Sequence, residues 1–367
     1  MGQVLTPTLR ESVDWPLVLV VVVLAVLGTA NLYSATSASG HSELYITQLY
    51  WLAFAAGGAA LVAAIDYKYI LRYAYIIFGA GVISLMLVLL VGVEVNGSRR
   101  WFDLGVGNLQ PSEPMKLFLV LALAKYLHND PRTEGRTLKD LLIPGAMAAL
   151  PVMLILRQPD LGTAMVLLLI FITIMVMTRL KLRSFLTLAA GVLAAIPLSW
   201  TYLLHDYQRQ RFLSFVDPDA DPLGAGWHLR QSLIAIGSGG ALGKGFMQST
   251  QNQNGFLPFQ HTDFPFPIFC EEHGFIGAGL LLGLFAFLIL WCVRIAKNAR
   301  DRFGAVVTMG VASILFWQVF INAGMVTGLL PVSGVTLPLI SYGGSSVLTV
   351  MLGIGLVLNI SMRRHPH

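Results

Sequence analysis

Charge is scarce in this sequence. Asp, Glu, Lys and Arg make up 12% of its 367 residues against 56% hydrophobic, and mean hydropathy is +0.71. A soluble domain carries roughly a quarter of its residues as charges, so the soluble globular class is excluded and a polytopic membrane protein remains. Cysteine is nearly absent too. Cys270 and Cys292, read on one helix, stand about 33 Å apart at ~1.5 Å rise per residue, beyond disulfide reach. No CxxC or HExxH spacing occurs; no metal-ligand motif is visible, and a need for a divalent cation stays open. No basic stripe interleaved with aromatics occurs, which argues against nucleic acid. The net charge of +5 reads instead as membrane orientation. No internal repeat stands out, which leaves an inverted-repeat transporter without visible support.

Long apolar runs are what the chain has in abundance. Trp15 to Tyr33 can cross ~30 Å of hydrocarbon and exceeds a signal-peptide core, so it predicts an uncleaved first helix. Further runs near 47–65, 70–92, 113–128, 139–156, 161–178, 184–204, 267–293, 304–327 and 338–361 predict an all-α polytopic fold of ten transmembrane helices, one membrane domain over 1–367. The 113–128 run is short and polar enough to need shielding by its neighbours. In that topology 16 of the 24 Lys and Arg residues fall on one side. The positive-inside rule then places both termini in the cytoplasm. The longest polar interval, 206–263 between helices 7 and 8, is thereby extracytoplasmic. It contains no crossing segment, yet it holds the apolar piece Leu233–Ile236 and many glycines. It reads as a structured cap with short or re-entrant helices.

Polar side chains concentrate on that outer side. Asn96-Gly-Ser-Arg-Arg-Trp-Phe-Asp103 feeds into Gln110-Pro-Ser-Glu-Pro-Met-Lys116, which opens a helix with Ser112 placed as its N-cap. Glu113 and Lys116 share a face. A lysine within a spanning helix costs about 2.5–3.5 kcal/mol unless it is paired or meets a polar cavity. It is either half of an ion pair with Glu113 or an anion-binding cation steadied by it, with Arg99, Arg100 and Trp101 just upstream. In the cap, Arg209 and Arg211 offer planar donor forks suited to phosphate oxygens, or simply solvated charge, and Lys244 sits between two glycines. Asp263, after His261 and Thr262, is either a helix cap or a general base whose pKa burial would raise; His261 is the alternative base. Glu271 and Glu272 follow on the next helix, where intramembrane acids are functional candidates.

These motifs, in order, resemble the SEDS (shape, elongation, division and sporulation) family: Gly97-Ser-Arg-Arg-Trp101, Gln110-Pro-Ser-Glu113 with Lys116, Gln158-Pro-Asp-Leu-Gly162, Gln231–Gly240, Gly243-Lys-Gly245, Phe256-Leu-Pro258, His261-Thr-Asp-Phe264 and Leu337–Ser346. The wording around Asp103, Gln158–Thr163 and Asp217–Gly226 is closer to its elongation branch than to its division branch. The resemblance implies ten transmembrane helices in the bacterial cytoplasmic membrane and polymerisation of lipid II on the outer face, with release of undecaprenyl pyrophosphate. It also implies a class B penicillin-binding protein as partner and lipid tails held in grooves between helices. By motif, Asp263 takes the place of the essential aspartate. Lys116, Glu113, Arg100, Trp101, Arg209, Arg211, Lys244, His261 and Glu272 would serve substrate, the cations offsetting pyrophosphate charge. Small-residue faces at Gly304–Gly328 and Gly353–Gly355 would meet the partner's helix. Three departures stand out: Phe259 where the family tends to carry an acid, Pro265 and Pro267 after the base, and the polar run Gln251–Gly255. A flippase or transporter of the same lipid is the alternative, and would call for midplane charges in broken helices. A scaffold would leave the polar cap unexplained.

Overall fold

The computed structural model describes residues 13–37, 43–95, 98–103, 105, 107–130, 135–178, 180–184, 186, 187, 190, 191, 194, 206–217, 224–257 and 259–363. In chain order the helices are α1 (Trp15–Ser37), α2 (Leu44–Ala64), α3 (Tyr67–Val91), α4 (Ser112–Asn129), α5 (Leu142–Leu156), α6 (Leu161–Met177), α7 (Asp206–Val216), α8 (Ala225–Ser238), α9 (Thr250–Gln253), α10 (Pro265–Lys297), α11 (Arg302–Val326) and α12 (Gly344–Met362). Among the described residues, seven helical segments are long and apolar enough to cross a membrane. The shorter α6 is apolar as well. The helix expected at 184–204 falls largely outside the described residues.

The expected weak helix turns out to be the hub. α4 packs on α3, α5, α6, α11 and α12, and Met115, Leu119, Val120 and Leu123 are fully buried. A helix too polar to face lipid is stable once its neighbours take lipid's place. Its start corrects the sequence reading: Pro111 holds the N-cap position without a side-chain cap bond, and the buried Ser112 hydroxyl caps nothing. The preceding loop adds a small feature to the helical fold. Val93–Val95, Ser98–Asp103 and Asn108–Leu109 form an antiparallel sheet, β1–β3 in that order, built where Val, Trp and Phe residues suit a pleated surface.

A second correction concerns the last helix, which starts at Gly344 and not near 338. Residues 328–343 form a loop pinned at both ends of its turn. Ser341 Oγ accepts from the Leu337 amide at 2.8 Å, and the Tyr342 amide donates to the His261 carbonyl at 2.7 Å. The small-residue faces expected to meet a partner are also turned inward. A Cβ on Gly310 would strike Val120, and one on Gly355 the α2 backbone at Ala59. Gly279 and Gly283 of α10, by contrast, open onto empty space.

One break organises the cap. α10 is interrupted at Gly274, with φ 66° and ψ −169°. Two of its own backbone bonds, from Glu271 to Phe275 and from Glu272 to Ile276, are replaced by four bonds to the loop after α8. The Glu271 and Glu272 carbonyls accept from the Lys244 and Gly245 amides at 2.9 and 3.0 Å, while the Phe275 and Ile276 amides donate to the Gly240 and Ala241 carbonyls at 2.9 and 3.1 Å. These four peptide groups thus keep partners across the break, as a segment beside lipid requires. The two backbones approach so closely that a Cβ on Gly274 would lie 2.3 Å from the Gly243 nitrogen.

Gly274→Ala therefore combines a positive φ with a backbone clash. It should cost about 1–3 kcal/mol in strain alone and lower the melting temperature of the purified protein, whereas Gly279→Ala should leave it unchanged. Equal melting of the two variants would contradict this joint.

Candidate functional site

The candidate site lies where the cap, the β2–α4 loop, the start of α6 and the 328–343 loop converge. Asp263 closes a turn in which the Phe259 carbonyl accepts from the amides of Thr262, Asp263 and Phe264 at 3.1, 3.0 and 3.3 Å. Phe259 adopts φ 52°, an uncommon setting for a bulky residue, and its side chain is half-exposed. The helix that follows starts with Pro265 at its first turn and Phe264 at the N-cap without a cap bond. Asp263 is thus not a capping residue, and the two prolines sit where proline is tolerated. Asn322, fully buried on α11, donates to the Asp263 carbonyl at 3.1 Å and to the Val335 carbonyl at 2.8 Å. It ties the aspartate's backbone to the loop whose Gly334 passes beside the carboxylate.

Burial pushes the Asp263 carboxyl above the ordinary carboxylate range. The Arg211 guanidinium, a hydrogen bond from Thr262 and Arg100 pull the other way, and Asp160 adds to the rise. Arg100 stacks at 4.4 Å over the Trp101 ring and approaches Asp160 at 3.6 Å. Asp160, 7% exposed, also accepts from Gln110 at 2.8 Å and caps α6 through the Thr163 amide and hydroxyl at 3.1 and 3.0 Å. The structure therefore brings Asp263, Arg100 and Arg211 into one electrostatic neighbourhood, with Trp101 beneath Arg100. It adds Asp160 and Asn322, which the sequence reading did not select. The Gln158-Pro-Asp motif contained the signal for Asp160, but Asn322 looks like any polar residue in an apolar run. Arg209 is half-buried on α7, two residues before Arg211. His261 packs edge-on to Tyr342 at 6.1 Å between ring centres.

Four of the expected substrate contacts, Lys116, Glu113, Lys244 and Glu272, have partners within the chain. Lys116 is 1% exposed and donates to both oxygens of Glu113 at 2.9 and 2.8 Å, a closed pair inside α4. Lys244 donates to Glu271 at 2.6 Å and to Thr250 at 2.9 Å. Glu271, fully buried, also accepts from Ser249 and from the Thr250 amide and hydroxyl. Glu272, 2% exposed, accepts from Ser34 of α1. The polar run after Gln251 serves the same joint: Asn252 donates to the Ser34 carbonyl at 2.8 Å. Glu271, Glu272 and Lys244 anchor the cap on α1 and α10.

A helical membrane bundle with a carboxylate held among arginines under a polar cap is the class that fold and site define. Residues 13–365 match the FTSW_RODA_SPOVE family, described as cell cycle protein, and the chain belongs to that family. Peptidoglycan glycosyltransferase MrdB of Escherichia coli K12 is 43% identical over 292 residues, 80% of this chain and 78% of MrdB. A chain of a solved peptidoglycan synthase complex that coordinates polymerization and crosslinking superposes with a TM-score of 0.83 at 35% identity, over 97% of this chain and 99% of that one. The crystal structure of the rod shape determining protein RodA of Thermus thermophilus gives 0.73 at 32% identity, over 97% and 98%. The chain is a multi-pass protein of the inner membrane.

The closed Glu113–Lys116 pair sets a measurable expectation. Glu113→Gln strands a buried ammonium and should destabilise the protein by about 3–5 kcal/mol. Adding Lys116→Met should restore most of the loss in thermal melts. If the double variant melts as low as the single one, the pair is not what holds α4.

Proposed function

We propose that the chain is a peptidoglycan glycosyltransferase that polymerises lipid II during cell elongation, with Asp263 as general base. The observation that carries the assignment is the placement of the Asp263 carboxylate on the cap turn beside Gly334, with Arg211 and Arg100 in its neighbourhood. Asp263 takes the proton of the acceptor sugar 4-hydroxyl as that oxygen bonds to the donor's anomeric carbon. The bond from that carbon to the pyrophosphate oxygen breaks, and undecaprenyl pyrophosphate departs with the electron pair. Arg100 and Arg211, joined by Arg209, offset the charge that develops on the leaving group. Trp101 and His261 line the approach. Lys116, Glu113, Lys244 and Glu272, expected at the substrate, serve the site by holding α4 and the cap in place. The transporter alternative draws no support from the broken α10, because the acids beside its break are met by protein donors.

The 206–263 segment forms the extracytoplasmic cap of a single membrane domain, both termini being cytoplasmic by the Lys and Arg asymmetry. The partner is a class B penicillin-binding protein, whose single transmembrane helix fits the open Gly279 and Gly283 face of α10; close helix approach in lipid needs such small residues. Ser249 is buried, so orientation is tested at the exposed Asn254. A cysteine introduced there should react with an impermeant reagent added from outside, and reaction from the cytoplasmic side alone would reverse the topology.

Asp263→Asn keeps the side chain's shape but cannot accept the proton. Purified variant should fold and retain lipid II while polymerising about 10²- to 10⁴-fold more slowly; a near-parental rate would move the base to His261. Arg211→Gln removes a charge that lowers the Asp263 pKa. Activity requires the carboxylate, so the acid limb of the pH–rate profile should move to higher pH. A limb that stays put, or moves down, would separate Arg211 from Asp263.

A further inference from the structure

At the end of the fold opposite the cap, α1 begins where α10 ends, and a cavity of about 240 Å³ opens between them, lined by Asp14, Trp15, Pro16, Trp291 and Arg294 among others. None of these groups has a part in glycosyl transfer. Asp14 is 7% exposed, and its two oxygens accept from the Trp291 indole at 2.8 Å and the Ser361 hydroxyl at 2.9 Å. The exposed Arg294 guanidinium lies 4.8 Å from the centre of the Trp291 ring. A buried carboxylate and an exposed cation thus flank one indole and face one cavity, without closing on each other as an ion pair. Trp15, 56% exposed, stands at the mouth, and tryptophan favours the membrane boundary.

We propose that this cavity binds the headgroup of a zwitterionic primary-amine phospholipid, of the phosphatidylethanolamine class. The phosphate meets Arg294, whose planar fork donates to two oxygens. The ammonium donates to the lone pairs that Asp14 retains and rests against Trp15. The acyl chains run along the exposed Leu19 and Val22 of α1 and Leu290 of α10. The charge pair sets the selectivity. An anionic headgroup without an amine would be repelled by Asp14, and a quaternary ammonium has no N–H to donate.

The test is native mass spectrometry of the 367-residue chain titrated separately with phosphatidylethanolamine, phosphatidylcholine and phosphatidylglycerol. The parent should hold phosphatidylethanolamine about tenfold more tightly than either other lipid, the size of one charge-assisted hydrogen bond. Asp14→Asn should erase that preference over phosphatidylglycerol, and Arg294→Gln should weaken both lipids. Trp15→Ala, at a position 56% exposed, should also weaken phosphatidylethanolamine and serves if Asp14→Asn fails to fold. Equal binding of the three lipids by the parent would overturn the proposal, as would an unchanged preference in folded Asp14→Asn. A tenfold gain in phosphatidylethanolamine binding on deletion of residues 2–12 would also overturn it, making the chain's own leading segment the occupant.

Discussion

The backbone exchange at Gly274 is the constraint on which the rest of the arrangement depends. A helix in a bilayer cannot open without new partners for the peptide groups it frees. Here the freed groups of Glu271, Glu272, Phe275 and Ile276 are met by Gly240, Ala241, Lys244 and Gly245. The exchange fixes a cap segment to a membrane helix through main-chain bonds, whatever the side chains do. The Glu271 carboxylate then gathers Lys244, Ser249 and Thr250, and Glu272 reaches Ser34 on α1.

That economy also separates structural charges from chemical ones. Buried ions in low dielectric are tolerable when paired, and Lys116 with Glu113, Lys244 with Glu271 and Arg136 with Asp130 are paired at 2.8, 2.6 and 2.9 Å. Around Asp263 the balance differs. Arg100 stacks on Trp101 and approaches Asp160 no closer than 3.6 Å, and Arg211 lies on an exposed face of α7. The Arg100 and Arg211 charges lie near the carboxylate, as the proposed base and an anionic leaving group would need together.

Position matters as much as charge. Asn322 donates to the Asp263 carbonyl and to Val335 at once, coupling α11 to both the cap turn and the 328–343 loop. Phe259 is half-exposed, and its carbonyl gathers three amides of the turn. In this chain the turn is built by the main chain.

By itself the sequence determined the class and most of the membrane helices, and it offered Asp263, Arg100 and Arg211 as candidates, which the fold places in one neighbourhood. Hydrophobic runs are read directly from residue type, and short motifs stay local. It also supplied the candidates Lys116, Lys244 and Glu272, but could not say whether each charge meets substrate or a partner within the chain. Lys116 and Glu113 are three residues apart and could have paired or diverged. Lys244 and Glu271 are 27 apart, and only the break in α10 brings them together. Tertiary structure alone decided that α4 is the hub, that α12 starts at Gly344, and that Gly279 and Gly283 face outward while Gly310 and Gly355 face inward. In each case the residue type allows both outcomes, and the difference lies in which neighbour excludes lipid or water from that side.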